Sequence, residues 1–73
     1  RKVLYGGSHV TDYSLEARAE MADEGVSEAD VEAALAAARN GEAEVEWETA
    51  LEIEWRDIEV DINDDGLVLD ADR

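Results

Sequence analysis

The stretch EVEWETALEIEWRDIEV, residues 44 to 60, alternates acidic residues with large apolar residues. Successive side chains of a β-strand point to opposite faces of the sheet, so this pattern predicts strands with one buried side and one side facing water. The chain after Gly41 is therefore predicted to be a β-meander over residues 42–71. Its inward-facing residues are predicted to be Val45, Trp47, Leu51, Ile53, Trp55, Ile58, Val60, Ile62, Leu67 and Leu69.

Loop lengths decide how these strands pair. Residues 48–50 would form a three-residue loop and residues 56–57 a two-residue loop. The second loop lacks the Gly or Asn that a tight hairpin prefers, so a bulge within one longer strand is an alternative there. Residues 63–66, Asn-Asp-Asp-Gly, make a better turn. The opposite pairs that follow are Trp47–Leu51, Trp55–Ile58, Ile62–Leu67 and Val60–Leu69.

Two helices are predicted before the meander. Between residues 14 and 24, Leu15, Ala19 and Ala22 recur at helical spacing, and Gly25 stands where a left-handed cap ends a helix. Residues 27–30, Ser-Glu-Ala-Asp, then form a capping box that starts a second helix. This helix is predicted to stop at residues 40–41, Asn-Gly, and its buried stripe comprises Val31, Ala34, Leu35 and Ala38.

The fold class that these elements predict is α+β. A helical hairpin packs on one face of a three- to four-stranded antiparallel sheet, and the other sheet face meets water. Seventy-three residues make a single domain, 1–73, with an N-terminal strand or loop at 1–13, two helices at 14–40 and the meander at 42–71. Within the first part, residues 1–5 are predicted to form a short strand.

Charge is the outlying feature of the composition. Twenty-one acids against six bases give a net charge of −15, which excludes nucleic acid as a direct partner and disfavours anionic membranes. Residues 1–40 carry eight acids and four bases, whereas residues 41–73 carry thirteen acids and two bases. The acidic excess therefore falls mainly on the sheet half of the chain, and a charged partner should be basic.

The strand pattern places most of these acids on the water-facing side of the sheet. Like charges directly opposite each other in a sheet destabilise it, and a few lysines would relieve that repulsion at no cost in packing. Folding alone does not explain such a face, so we expect it to be a binding surface. The predicted partner-binding residues are Glu44, Glu46, Glu52, Glu54, Glu59, Asp61 and Asp70, with Asp72 in the same phase and Arg56 the only base among them.

Small size, acidity and the absence of a recognisable catalytic motif resemble the DNA-mimic inhibitors that phages encode against host defences, such as anti-CRISPR and anti-restriction proteins. The resemblance is one of overall character and covers the whole chain. It implies that the carboxylates imitate phosphates and occupy the basic nucleic-acid-binding surface of a defence complex in the host cytoplasm. Target DNA binding would then be blocked sterically.

Two alternatives remain open. Abundant acid, one lysine and twelve alanines are also expected of a small domain adapted to high salt. A salt-adapted surface should be acidic all round, whereas the helices of this chain keep Arg18 and Arg39. The second alternative is a calcium-binding module, because residues 61–72, DINDDGLVLDAD, fit the spacing of a calcium loop. Its ligands would include Asp61, Asn63, Asp65 and Asp72, but an EF-hand requires helices on both sides, and a hairpin turn explains the same residues.

A further resemblance concerns the helices alone. Residues 16–35, EARAEMADEGVSEADVEAAL, are similar in rhythm to small domains of the RelE-like toxin superfamily, in which two helices precede an antiparallel sheet. Such ribonucleases present cationic side chains to RNA, whereas this chain has Glu16, Glu20 and Glu24 in that region. The resemblance therefore supports the architecture and not the activity.

No catalytic residues are predicted. His9 is the only histidine, and it lies in a glycine-containing segment with no nucleophile arranged around it. A pair of carboxylates for acid–base chemistry would need a cleft, which a water-facing sheet does not supply. The sequence therefore predicts a protein that is not an enzyme, needs no cofactor, binds a basic protein and is located in the cytoplasm.

Overall fold

The computed structural model describes residues 9–73, so the strand predicted at residues 1–5 lies outside the described residues. The described part contains two α-helices and a five-stranded mixed sheet, which is an α+β architecture. In chain order the elements are β1 (Asp12–Tyr13), α1 (Leu15–Glu24), α2 (Glu28–Arg39), β2 (Glu44–Trp47), β3 (Leu51–Trp55), β4 (Ile58–Ile62) and β5 (Leu67–Asp72).

The sheet order is β1-β5-β4-β3-β2, and β1 runs parallel to β5 while all other neighbours are antiparallel. The prediction of a purely antiparallel sheet of three or four strands is therefore wrong. The extra strand is only two residues long, and it precedes α1 directly. It is held to β5 by the Thr11 amide, which donates to the Gly66 carbonyl at 2.8 Å, and by the Ser14 amide, which donates to the Val68 carbonyl at 2.9 Å. A parallel pair between residues so far apart in sequence leaves no hairpin signal.

Helix α2 follows its predicted pattern. Its capping box is present, since the Asp30 amide donates to the Ser27 hydroxyl at 3.0 Å and the Ser27 amide donates to the Asp30 carboxylate at 3.0 Å. The predicted stripe is buried: Val31, Ala34, Leu35 and Ala38.

Helix α1 has the predicted left-handed cap at Gly25 and is capped at its start by Ser14, but its buried stripe differs from the prediction. Ala17 and Met21 face the core, and Leu15 is 83% exposed. The helix packs along β5 near the margin of the sheet, so a narrow strip of its surface is covered. Spacing alone did not decide which strip that would be.

The core lies between the helices and one sheet face. Helix α1 packs on β5, and α2 packs on β3 and β4. The largest fully buried side chains are those of Val31, Leu35, Ile53, Val60, Ile62 and Val68. Helix α2 makes its main contacts with β3 and β4 and not with β2. Trp47 remains 45% exposed, so the interpretation of this tryptophan as a core residue is wrong.

The meander has the predicted register through β4. Trp47 pairs with Leu51, and Trp55 pairs with Ile58 across a two-residue turn, so the alternative of one long bulged strand is not what forms there. Arg56 occupies the left-handed region in this turn (φ 57°), and its guanidinium stacks on the Trp55 ring at 4.4 Å from the centroid. The predicted hairpin is thus built without Gly or Asn at that position.

The register of β5 differs from the prediction. Ile62 lies opposite Val68 and Val60 opposite Ala71, whereas Leu67 and Leu69 were predicted there. The ladder skips Leu69 between the Asp61–Asp70 and Ile62–Val68 pairs, so this residue forms a bulge. Its side chain is 37% exposed, while that of Val68 is fully buried.

Candidate functional site

Eight carboxylates occupy the sheet face opposite the helices, and we call this set the acidic face. Its members form two rows of four that cross the strands from β2 to β5. The first row is Glu44, Glu54, Glu59 and Asp72, and the second row is Glu46, Glu52, Asp61 and Asp70. All seven of the predicted partner-binding residues belong to these rows, and Asp72 completes them.

The bulge at Leu69 is what keeps β5 within this pattern. A regular strand with Val68 facing the core would also point Asp70 and Asp72 toward the core, because side chains alternate with a period of two. The extra residue resets that phase, so Val68 and Ala71 are buried while the two aspartates stand opposite Asp61 and Glu59. One irregularity therefore adds two carboxylates to the acidic face.

Exposure changes across the face. The glutamates of β2, β3 and β4 are exposed, while Asp61, Asp70 and Asp72 are half-buried. Glu20 of α1 adjoins this half-buried side: burial raises its pKa, and the charges of Asp70 and Asp72 contribute to the rise. Because α1 packs on β5, the charge of Glu20 lies within electrostatic range of these two aspartates. Sequence reasoning missed Glu20, since nothing in the local pattern places α1 beside β5.

Mutual repulsion is visible in the pKa values of the second row. The charge of Asp61 is the largest cause that raises the pKa of Glu52, ahead of burial and of the charges on Glu48 and Glu46. Burial raises the pKa of Asp61, and the charges of Asp70 and Asp72 add to it. These groups therefore hold their negative charge less readily than isolated carboxyls.

The ion pairs that Arg18 and Arg73 make lie elsewhere. Arg18 pairs with Asp12 at 3.5 Å and Glu28 at 3.4 Å, and all three side chains are largely exposed. Arg73 pairs with Asp57 at 3.1 Å and Asp30 at 3.8 Å. None of these four carboxylates belongs to the acidic face. Arg56, which was predicted to stand among the acids, stacks on Trp55 and lines a shallow surface pocket with Glu44 and Glu54.

An open groove of about 600 Å³ runs across β2, β3 and β4. It is lined by Glu44, Val45, Glu46, Glu52, Ile53, Glu54, Glu59 and Asp61. A shallow groove lined by carboxylates suits the contact of a convex, positively charged surface better than the enclosure of a small molecule.

The four residues of the proposed calcium loop do not come together as ligands. Asn63 uses its side-chain oxygen within the turn, where it accepts from the amides of Asp65 at 2.9 Å and Leu67 at 3.0 Å. Asp61 and Asp72 lie in the strands, opposite Asp70 and Glu59. Among residues 9–73, no group of three or more His, Cys, Asp or Glu side chains is arranged to hold a metal ion.

Comparison with family models, with curated proteins and with solved structures finds no match for this chain. Within the described residues, neither helix is long and apolar enough to cross a membrane. The site must therefore be interpreted from its own geometry and charge.

Proposed function

We propose that this protein is an acidic nucleic-acid mimic, which binds the basic nucleic-acid-binding surface of a host defence complex in the manner of an anti-CRISPR protein and blocks target DNA. The observation that carries the proposal is the pair of carboxylate rows across β2, β3, β4 and β5. The protein would act in the cytoplasm of the host cell, by binding and without a cofactor.

The charge density of the rows is close to that of a duplex. Neighbouring strands lie ~4.8 Å apart, so a row of four spans ~14 Å. Duplex DNA carries one charge per ~1.7 Å of axis, which is about eight phosphates over the same length. The rows are separated by two residues along each strand, ~6.6 Å, so the eight carboxylates together approach the number of phosphates on that length of duplex. A protein surface shaped for phosphates would meet a comparable pattern of charge.

The energetics of the face also favour a basic partner. Each row places like charges in directly opposite positions, an arrangement that destabilises a sheet. Arginine and lysine side chains of a partner would replace this repulsion with attraction, so binding would stabilise the fold as well as the complex. The same field would accelerate association at low ionic strength.

The test is inhibition of DNA binding by purified defence complexes. A panel of CRISPR surveillance complexes and restriction enzymes is mixed with labelled target DNA, and the bound fraction is measured by mobility shift with and without this protein. We expect at least one complex to lose DNA binding, with less inhibition when DNA is added first and when the salt concentration rises.

Two matched charge variants locate the site. Substitution of Glu46, Glu54 and Glu59 by lysine should weaken inhibition at least about tenfold and leave the fold intact or more stable, because it relieves repulsion within the sheet. The control replaces three exposed helical acids, Glu16, Asp23 and Glu32, by lysine and makes the same change in net charge. The proposal is rejected if both variants lose inhibition equally or if the sheet variant inhibits fully. It is also rejected if no complex in the panel is inhibited.

A further inference from the structure

Strand β2 forms one margin of the sheet. In the described residues it pairs only with β3, so one row of its main-chain amide and carbonyl groups is directed away from the sheet. Such an edge is a template on which another extended chain can add a strand.

The side of β2 that faces the helical layer is incompletely covered. Trp47 is 45% exposed, and Val45 is half-buried against the core. Tryptophan is enriched where proteins contact partners, since its large ring gains much from losing its water. Glutamates on an edge strand can be explained as protection against unwanted strand pairing. That explanation gives no reason for an exposed tryptophan on the same strand.

The other side of β2 carries Glu44 and Glu46, both exposed. A strand added to this edge would place every second side chain beside these carboxylates and the intervening ones beside Val45 and Trp47. A second copy pairing through β2 would oppose its own glutamates to these glutamates, which is unfavourable. Charge complementarity selects a basic segment instead.

We propose that the free edge of β2 accepts an extended segment of a protein partner in which basic residues alternate with apolar residues. Main-chain hydrogen bonds hold the segment to β2, its basic side chains lie over Glu44 and Glu46, and its apolar side chains pack on Val45 and Trp47. The inference goes beyond the mimicry proposal, because it assigns a main-chain edge and one aromatic side chain that phosphate mimicry does not use.

The experiment uses a blocked synthetic heptapeptide that alternates lysine and valine as the probe. Amide exchange of the whole protein is followed by NMR with and without the peptide. We expect slower exchange at the β2 amides directed away from β3, by about tenfold or more at saturation. A peptide of the same composition with its lysines and valines in separate blocks serves as the control, and it should bind weakly without this protection.

Trp47→Ala should weaken binding of the alternating peptide at least about fivefold. Leu15→Ala, which truncates an exposed apolar residue on α1, should leave the affinity unchanged. Unprotected β2 amides, equal binding of the two peptides, or equal effects of the two variants would overturn the proposal. So would protection in the free protein that increases with protein concentration, which would assign the edge to a second copy. The exchange measurement needs no variant, so it decides the question even where Trp47→Ala does not fold.

Discussion

Asp61 of β4 lies directly opposite Asp70 of β5, and the two carboxyl groups share the half-buried part of the acidic face. Burial raises the pKa of Asp61, and the neighbouring charges of Asp70 and Asp72 raise it further. A sheet selected only for stability would place opposite charges at such a pair.

Stability should increase as the pH falls from 7 to about 5. The pKa values of Glu20, Glu52 and Asp61 are raised in the folded state, so folding favours the protonated forms of these carboxyls. The free energy of unfolding therefore rises as the pH falls towards their ordinary pKa values. Hydrogen bonds with Ser27 lower the pKa of Asp30. The stability that this carboxylate adds to the fold is present above its ordinary pKa of 3.8 and is lost as the pH falls below that value. Thermal unfolding followed by circular dichroism checks this.

The double variant Glu52→Gln, Asp61→Asn should show a flatter pH profile between 7 and about 5. The matched control, Glu16→Gln with Asp64→Asn, also removes one glutamate and one aspartate charge, but from exposed positions in α1 and in the turn before β5. A melting temperature that falls over this range in the unmodified protein contradicts the prediction, as does equal flattening in both variants.

The fold should persist at low salt. Raising potassium chloride from about 0.1 M to about 2 M shortens the screening length several-fold and weakens repulsion across the acidic face, so the melting temperature should rise. Mimicry requires a folded protein at the lower concentration, where steering is strongest. A domain that unfolds at about 0.1 M and folds only at about 2 M would instead support adaptation to salt, and the mimicry proposal would be withdrawn.

Val68→Ala should destabilise the protein by about 2 kcal/mol, because it removes a fully buried side chain from the centre of the core. Leu69→Ala should cost less than about 1 kcal/mol, since this residue is at the bulge and 37% exposed. Urea unfolding of both variants measures the difference. The reverse order would mean that β5 has the regular register expected from simple alternation.

Gly66→Ala should destabilise more than Gly41→Ala. Both glycines have positive φ, 85° and 75°, so each substitution carries the conformational cost of about 1 kcal/mol. A Cβ at Gly66 would also collide with the His9 carbonyl oxygen and lie 2.9 Å from the Thr11 side chain, whereas nothing lies within 4 Å of a Cβ at Gly41. Chemical unfolding should therefore show an additional loss of ~1–3 kcal/mol at Gly66. Equal losses would show that His9 and Thr11 do not approach this turn closely.

Several features of the fold could be predicted from local chemistry. The capping box at Ser27 and the stripe of Val31 and Leu35 were predictable because caps and helical periodicity act within a few residues. Loop length and parity predicted the pairing of Trp47 with Leu51, since a one-residue slip would turn every apolar side chain to water. They also allowed the pairing of Trp55 with Ile58, but the choice between a hairpin and a bulge there came from the structure.

The errors fall where distant parts of the chain meet. The parallel pairing of β1 with β5 leaves no turn signal, so the fifth strand was missed. The bulge at Leu69 breaks the alternation from which the register was inferred. Exposure of Leu15 and Trp47 depends on how far the helical layer extends over the sheet, which their own positions in sequence do not encode.

Alternation by itself determined that acids and apolar residues would occupy opposite faces, because the geometry of a strand sends neighbouring side chains to opposite sides. Only the tertiary structure decided that a bulge lets Asp70 and Asp72 complete the two rows, that α1 brings Glu20 within electrostatic range of them, and that the edge of β2 is left beside an exposed Trp47. The physical reason is range: periodicity acts between adjacent residues, whereas register, bulges and coverage are set by packing between elements that lie far apart in the chain.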